Sequence, residues 1–262
     1  MTQDQHGSVF GPHSLEAPWD LFNAQDGATS SGVPHRALAS EGPPDGEVIA
    51  PLQQMLVRHH LSTDAVRRDE ERRQALERLG HGNLAAGVLR YPASATTRKG
   101  NLAEITLAEY LVTTTRVTLP IYRLRYNPNV DQSMKGDDVL AFDLDSDPVR
   151  IIVGEAKYRA TSTKAAVEEM VTGLLRSYRS GLPASLTFVA ERLYETSQVE
   201  LADRVMNCVM LFAEERLRLD YVGLLMSDSR SASRVIEHTS ADLLLEIVNF
   251  ASGVHWSANA VR

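Results

Sequence analysis

The apolar pattern divides the chain into an irregular front and a regular remainder. From Lys99-Gly100-Asn101 onward, Leu102, Ile105, Ala108, Leu111 and Val112 recur at spacings of three and four, predicting a helix that stops before Pro120. Three short apolar runs follow, Ile121–Tyr126, Asp138–Leu144 and Val149–Lys157, each of strand length. In the middle run Val139 and Ala141 alternate with Leu140 and Phe142, as in a half-buried strand, while the continuous Ile151-Ile152-Val153 suits a central strand covered on both faces. Ser162 or Thr163 can cap a helix with apolar positions Val167, Met170, Val171, Leu174, Leu175 and Tyr178, ended by Gly181 and Pro183. Leu186–Ala190 then predicts a fourth strand, Ser197 with Glu200 a capping box opening a helix to about Leu217, Tyr221–Met226 a fifth strand, and Ser240–Phe250 a last helix. This order predicts an α/β fold of three layers, a mixed central sheet flanked by helices.

The front half is different. The first 46 residues hold six Gly and five Pro without sustained periodicity, predicting a loop, extended arm or disordered tail. Ile49, Leu52, Leu56 and Val57 suit a short helix, and residues 64–79 suit a solvated one whose five arginines and five acids sit three and four apart. The division expected is an acidic arm (1–47), a helical segment (48–97) and an α/β domain (98–262). No internal repeat is visible.

Composition narrows the setting. The chain has 262 residues and a formal net charge of −7, which argues against a constitutive DNA-coating protein. Residues 1–50 carry −6 of it, whereas 150–180 carry +3, so the arm can cover the basic centre or dock to a partner. One cysteine, Cys208, within an apolar run, rules out an intrachain disulfide or a Cys-rich zinc site and reads as a buried thiol. No apolar run reaches the ~18 residues of a membrane-spanning helix and no signal peptide is visible, so a cytoplasmic protein is expected. The apolar face between Val205 and Leu217 reads as core; a homodimer is possible but unsupported.

Candidate chemistry lies in the 98–190 region. Residues two apart on a strand share a face, so Glu155 and Lys157 point the same way. If the strands holding Asp138 and Glu155 form a hairpin, their carboxylates lie side by side at one sheet end. Adjacent carboxylates repel and raise each other's pKa, and a hard divalent ion, Mg²⁺ or Mn²⁺, relieves this. Such an ion activates water and stabilises charge on a phosphate, and a nearby lysine offsets charge, so phosphodiester hydrolysis suits these residues. Glu104 can join the site or complete a capping box with Asn101. Asp137 is a turn residue after Gly136 or a further metal contact. Lys99, Arg123, Arg125, Lys135 and Arg159 are solvated charges or DNA phosphate contacts. The adjacent His59-His60 suit no common metal pair, and neither a G-x-S-x-G elbow nor a GxxxxGK[ST] loop is present.

The stretches Lys99-Gly100-Asn101-Leu102-Ala103-Glu104, Arg123-Leu124-Arg125-Tyr126-Asn127-Pro128-Asn129, Lys135-Gly136-Asp137-Asp138 and Gly154-Glu155-Ala156-Lys157 resemble the PD-(D/E)xK nuclease superfamily. Within it they most resemble the nuclease subunit of the Hachiman antiphage system and its antiphage-protein-A relatives. The resemblance covers residues 98–190 with good motifs and runs loosely to about 250. Asp137 stands where the superfamily name has Pro, which leaves Asp137 or Asp138 as the metal ligand, with Asp138 preferred. The resemblance implies a restriction-endonuclease-like core and a Mg²⁺-dependent DNase. Asp138 and Glu155 would ligate metal, Lys157 would position water or phosphate, and Glu104 would assist. It also implies a superfamily 2 helicase partner that restrains the nuclease. Two other readings are a catalytically inactive DNA-binding or helicase-regulating module, and a stand-alone restriction or repair nuclease.

Overall fold

The computed structural model describes residues 10–30, 32–40, 42, 46–87, 91–238 and 251–257. Strands β1 (Phe22–Ala28), β2 (Pro34–Ser40), β3 (Val139–Asp143), β4 (Val149–Tyr158), β5 (Leu217–Ser227) and β6 (Ala251–Ser257) form one sheet in the order β1-β2-β6-β5-β4-β3. The β2-β6, β6-β5 and β5-β4 pairings are parallel and the two outer ones antiparallel, so the sheet is mixed. The described helices are α1 (Gly46–His60), α2 (Thr63–Arg78), α3 (Gly82–Ala86), α4 (Ala95–Thr114), α5 (Lys164–Arg179), α6 (Leu186–Glu195), α7 (Val199–Ala213) and α8 (Ser231–His238). The fold is α/β. None of these helices is long and apolar enough to cross a membrane.

Strand alternation builds two cores. Ile151, Val153, Leu140 and Phe142 pack with Val167, Met170 and Leu174 of α5 and with α6 and α7. Ile152, Val139 and Ala141 pack with Leu107, Ala108 and Leu111 of α4. The Ile151-Ile152-Val153 run is thus covered on both faces, as expected of a central strand. β3 is more buried than its alternation predicts, because helices cover both of its faces. Thr163 caps α5, accepting from the Ala166 N–H at 3.2 Å, and Ser62 caps the salt-bridged α2. Cys208 is buried, which pushes its thiol up to about 11. On α7, Val205 and Cys208 face inward while Val209, Met210 and Phe212 stay exposed.

Four expectations are corrected. Ile121–Tyr126 is not a strand. Only Thr118 bridges Phe142, Pro120 offers no N–H to a ladder, and Arg123–Tyr126 form a 3₁₀ turn whose arginines donate to Glu104 and to the Arg58 carbonyl. Leu186–Ala190 is the start of α6: Leu186, Val189, Ala190 and Leu193 have the helical period, and all are buried. Ser197 makes no capping box, having φ 61°, and α7 begins at Val199. The expected helix at 240–250 lies outside the described residues.

The fourth correction concerns the arm. β1 and β2 pair antiparallel and join the sheet through β6, and Phe10, Trp19, Phe22 and Leu38 are buried against α4. Arg36 makes a two-pronged ion pair with Asp26 at 2.6 and 2.8 Å and donates to the Tyr110 hydroxyl at 3.1 Å. Trp19 Nε1 donates to Thr113 Oγ1 at 3.1 Å. These contacts make the described part of the arm fold rather than movable cover. Trp19→Ala should therefore cost about 3–5 kcal/mol in urea unfolding; a mobile cover would leave the midpoint unchanged.

Candidate active site

The site forms where β3 and β4 part. Their register ends with Val139 opposite Gly154, which places Asp138 beside Glu155 at the end of the pairing, as the hairpin argument expects. Beyond that point β4 pairs, among the described residues, only with β5. Asp138 Oδ2 takes the freed donor, the Ala156 N–H, at 2.9 Å. Glu155 and Lys157 lie on the α5 side of β4, and Lys157 Nζ donates to Glu155 Oε1 at 2.5 Å. The Glu155 carboxyl lies so close to α5 that a methyl group on Gly173 would sit 2.6 Å from its Cδ.

Glu104 approaches from α4. That helix is capped by Ser94, whose Oγ accepts from the Thr97 N–H at 3.4 Å, so the capping-box reading of Asn101 and Glu104 falls away. Asn101 is buried within the helix, its Nδ2 3.0 Å from His60 Nε2. Glu104 instead meets Arg123, whose Nε donates to its Oε1 at 3.2 Å. The same guanidinium reaches Asp138 Oδ1 at 3.9 Å and donates to the Asp137 carbonyl at 2.6 Å.

Electrostatics ties the three carboxyl groups together. Burial, opposed by Arg123 and reinforced by the charges of Asp138 and Glu155, pushes Glu104 up to about 8. Burial raises Asp138 as well, against the Ala156 N–H, Arg123 and Lys157. Glu155 is raised by burial and by Asp138, with Lys157 acting against both. Oxygen donors whose negative charge is disfavoured suit a hard divalent cation. As placed, however, no three His, Cys, Asp or Glu side chains among the described residues are arranged to hold an ion. Arg123 and Lys157 neutralise the cluster instead.

Asp137 does not face this cluster as a free ligand. Its Oδ1 accepts from Ser177 Oγ at 2.8 Å and its Oδ2 from the Ser185 N–H at 3.1 Å, while its own N–H donates to Ser185 Oγ at 3.0 Å. Gly136, with φ 108°, makes the turn that allows this. Asp137 therefore ties the start of β3 to α5 and α6.

The predicted basic residues divide. Lys99, Lys157 and Arg159 line one groove of about 830 Å³ with Glu104 and Asp138 on its wall. Lys99 sits 5.3 Å from the Tyr158 ring centre, and Arg159 is ion-paired with Glu169. Lys135 is exposed. Arg123 lies inside the carboxylate cluster, not on a phosphate-facing surface. Arg125 donates to the Arg58 carbonyl at 2.8 Å and stacks on Tyr122, away from the groove.

Sequence reasoning missed Gly173, Ser177 and Ser185. Ser177 and Ser185 carry no sequence signal, since their role exists only through Asp137. Gly173 does carry one: a glycine inside a helix costs stability, which invites a search for the neighbour that requires it.

The HamA family model matches residues 26–251. Over 234 residues the chain is 34% identical to Hachiman protein HamA of Bacillus cereus, spanning 89% of this chain and 84% of that protein. On both counts, the chain belongs to the HamA family.

Proposed function

We propose that this chain is a metal-dependent DNA nuclease with a PD-(D/E)xK-type site, the effector of an antiphage defence complex that a helicase partner restrains. The observation that carries the reading is Asp138 set opposite Glu155-x-Lys157 where β3 and β4 separate, beside a groove lined by Lys99, Lys157 and Arg159. Asp138 and Glu155 would hold Mg²⁺ or Mn²⁺, which supplies a water of lowered pKa and a counter-charge for the phosphate undergoing hydrolysis. The side chains of this protein do the remainder. Lys157, held by Glu155, places a positive charge at the reacting phosphate. Glu104, at about 8, keeps its proton at neutral pH and can donate a hydrogen bond there. Lys99 and the rim of the groove bind the backbone of the nucleic acid.

A binding module is the second reading, favoured by the internal ion pairs that neutralise the carboxylates without metal. Plasmid cleavage in Mg²⁺ separates the two, with Glu155→Ala and Lys157→Ala beside the wild type, each with and without the candidate helicase. Cutting by the wild type that chelation and both substitutions abolish is the expected result, with the helicase suppressing it. Absence of cutting under every condition, with folded variants, leaves the binding module. Cutting indifferent to the helicase indicates a stand-alone nuclease.

A further inference from the structure

Arg123 reaches two of the three carboxyl groups at the site, Glu104 at 3.2 Å and Asp138 at 3.9 Å, and its side chain is only 12% exposed. Arg123 lies against Glu104 and Asp138, and Lys157 against Glu155, so each of the three carboxyl groups already has a cation within 3.9 Å. A divalent ion entering this cluster meets like charge at the very oxygens it needs, and that repulsion is relieved when a cation leaves. Lys157 is fixed on a paired strand with its ammonium 2.5 Å from Glu155 Oε1. Arg123 sits on a short 3₁₀ turn, and its approach to Asp138 is a looser 3.9 Å.

That turn is fastened to the C-terminal end of α1. Arg125 Nε donates to the Arg58 carbonyl at 2.8 Å, and the His59 ring packs edge-on against Tyr122 at 4.7 Å. His59 and Arg58 are in turn anchored on the buried Glu109 of α4. A small cavity of about 30 Å³, lined by His59, Tyr122, Arg123, Glu104 and Asp138, lies between these contacts and the carboxyl groups.

We propose that Arg123 is a built-in counter-cation which a divalent ion must displace from Asp138 and Glu104, and that the grip of α1 on residues 122–126 sets how readily it leaves. Arg123 is then a positioning residue that keeps the metal-free chain idle, and a partner that shifts α1 acts on metal occupancy without touching the carboxylates. The inference rests on the nuclease reading of this site.

The test is Mn²⁺ binding by the full chain, followed calorimetrically and by the spin-resonance signal of free Mn²⁺. Arg123→Met should bind Mn²⁺ about tenfold tighter than the wild type. Arg125→Ala, which loosens the turn, should move in the same direction by less, and Asp138→Asn should remove binding. A second measurement uses the unmodified protein, so a poorly folding variant does not decide the matter. Modification of Arg123 by hydroxyphenylglyoxal, read by mass spectrometry, should speed up several-fold when Mn²⁺ is added. Equal or weaker binding by a folded Arg123→Met, or modification that Mn²⁺ slows or leaves unchanged, overturns the inference. If the wild type binds through Asp138 while those results go against Arg123, only this inference falls. If neither the wild type nor Arg123→Met binds Mn²⁺, the nuclease reading falls with it.

Discussion

Gly173→Ala is expected to lower the proposed metal-dependent cleavage on the order of 100-fold or more while leaving the protein at least as stable as the wild type. An added Cβ at this position would lie 2.6 Å from Glu155 Cδ, 2.8 Å from its Oε1 and 3.0 Å from its Cγ. Separations that short do not persist, and the free end of a glutamate yields more easily than the backbone of a sixteen-residue helix. Glu155 must swing away, and its contact with Lys157 goes with it. In the helix itself the substitution is favourable by up to about 1 kcal/mol, because alanine has the higher propensity. Displacement of a catalytic group by about 1 Å costs on the order of 100-fold in rate. Cleavage should fall by that factor or more, with a melting temperature unchanged or raised. Gly82→Ala is the matched control, since an added methyl there meets nothing within 4 Å. Retained cleavage by Gly173→Ala would mean that the position of Glu155 does not matter to the reaction.

The neighbourhood of Asp138 and Glu155 was legible in the sequence because it depends on local rules. Strand period fixes which residues share a face, and a short hairpin fixes which residues meet across it. The same locality explains the successful reading of α5 and its Thr163 cap. What failed depends on distant partners. The β1 and β2 segments, FNAQDGA and PHRALAS, have no convincing alternation, and β2 is held by β6, more than two hundred residues along the chain. Arg123 and Arg125 share a face in any strand drawn for them, yet in the turn they part toward separate acceptors on α4 and α1. Asn101 and Glu104 match a capping box, but Ser94 starts the helix about two turns earlier and turns Glu104 into an interior residue. Competing starts of one helix are poorly separated by spacing alone. The polar cluster was thus partly visible: its carboxylates and Lys157 could be placed, whereas Arg123 as a counter-ion could not.

The acid that Glu104 becomes in this setting gives the second large effect, a stability that declines as pH rises. Its carboxyl group is pushed up to about 8, from 4.5 for an ordinary glutamate. The folded protein therefore keeps a proton that the unfolded chain has already lost. Below the ordinary glutamate range both states are protonated and the group's contribution to folding is intact. Through neutral pH up to about 8 it is progressively lost, since folding must then either bind a proton or bury a charge. Asp138 and Glu155, also raised, act in the same direction. Glu104→Gln keeps an acceptor for Arg123 and removes the titration. It should melt on the order of 10 °C above the wild type at about pH 9 and show a much smaller advantage at about pH 5, since a shift from 4.5 to about 8 is worth up to about 5 kcal/mol and a chain of this size moves ~2–4 °C per kcal/mol. Saturating Mn²⁺ should flatten the wild-type slope by supplying the positive charge that the ionised cluster lacks, provided the ion enters through Asp138 and Glu155. Melting curves between about pH 5 and pH 9 check both statements. A wild-type slope identical to that of Glu104→Gln would show that Glu104 is ionised at neutral pH in the folded chain, and its proposed role as a proton-holding group beside Asp138 and Glu155 would have to be withdrawn.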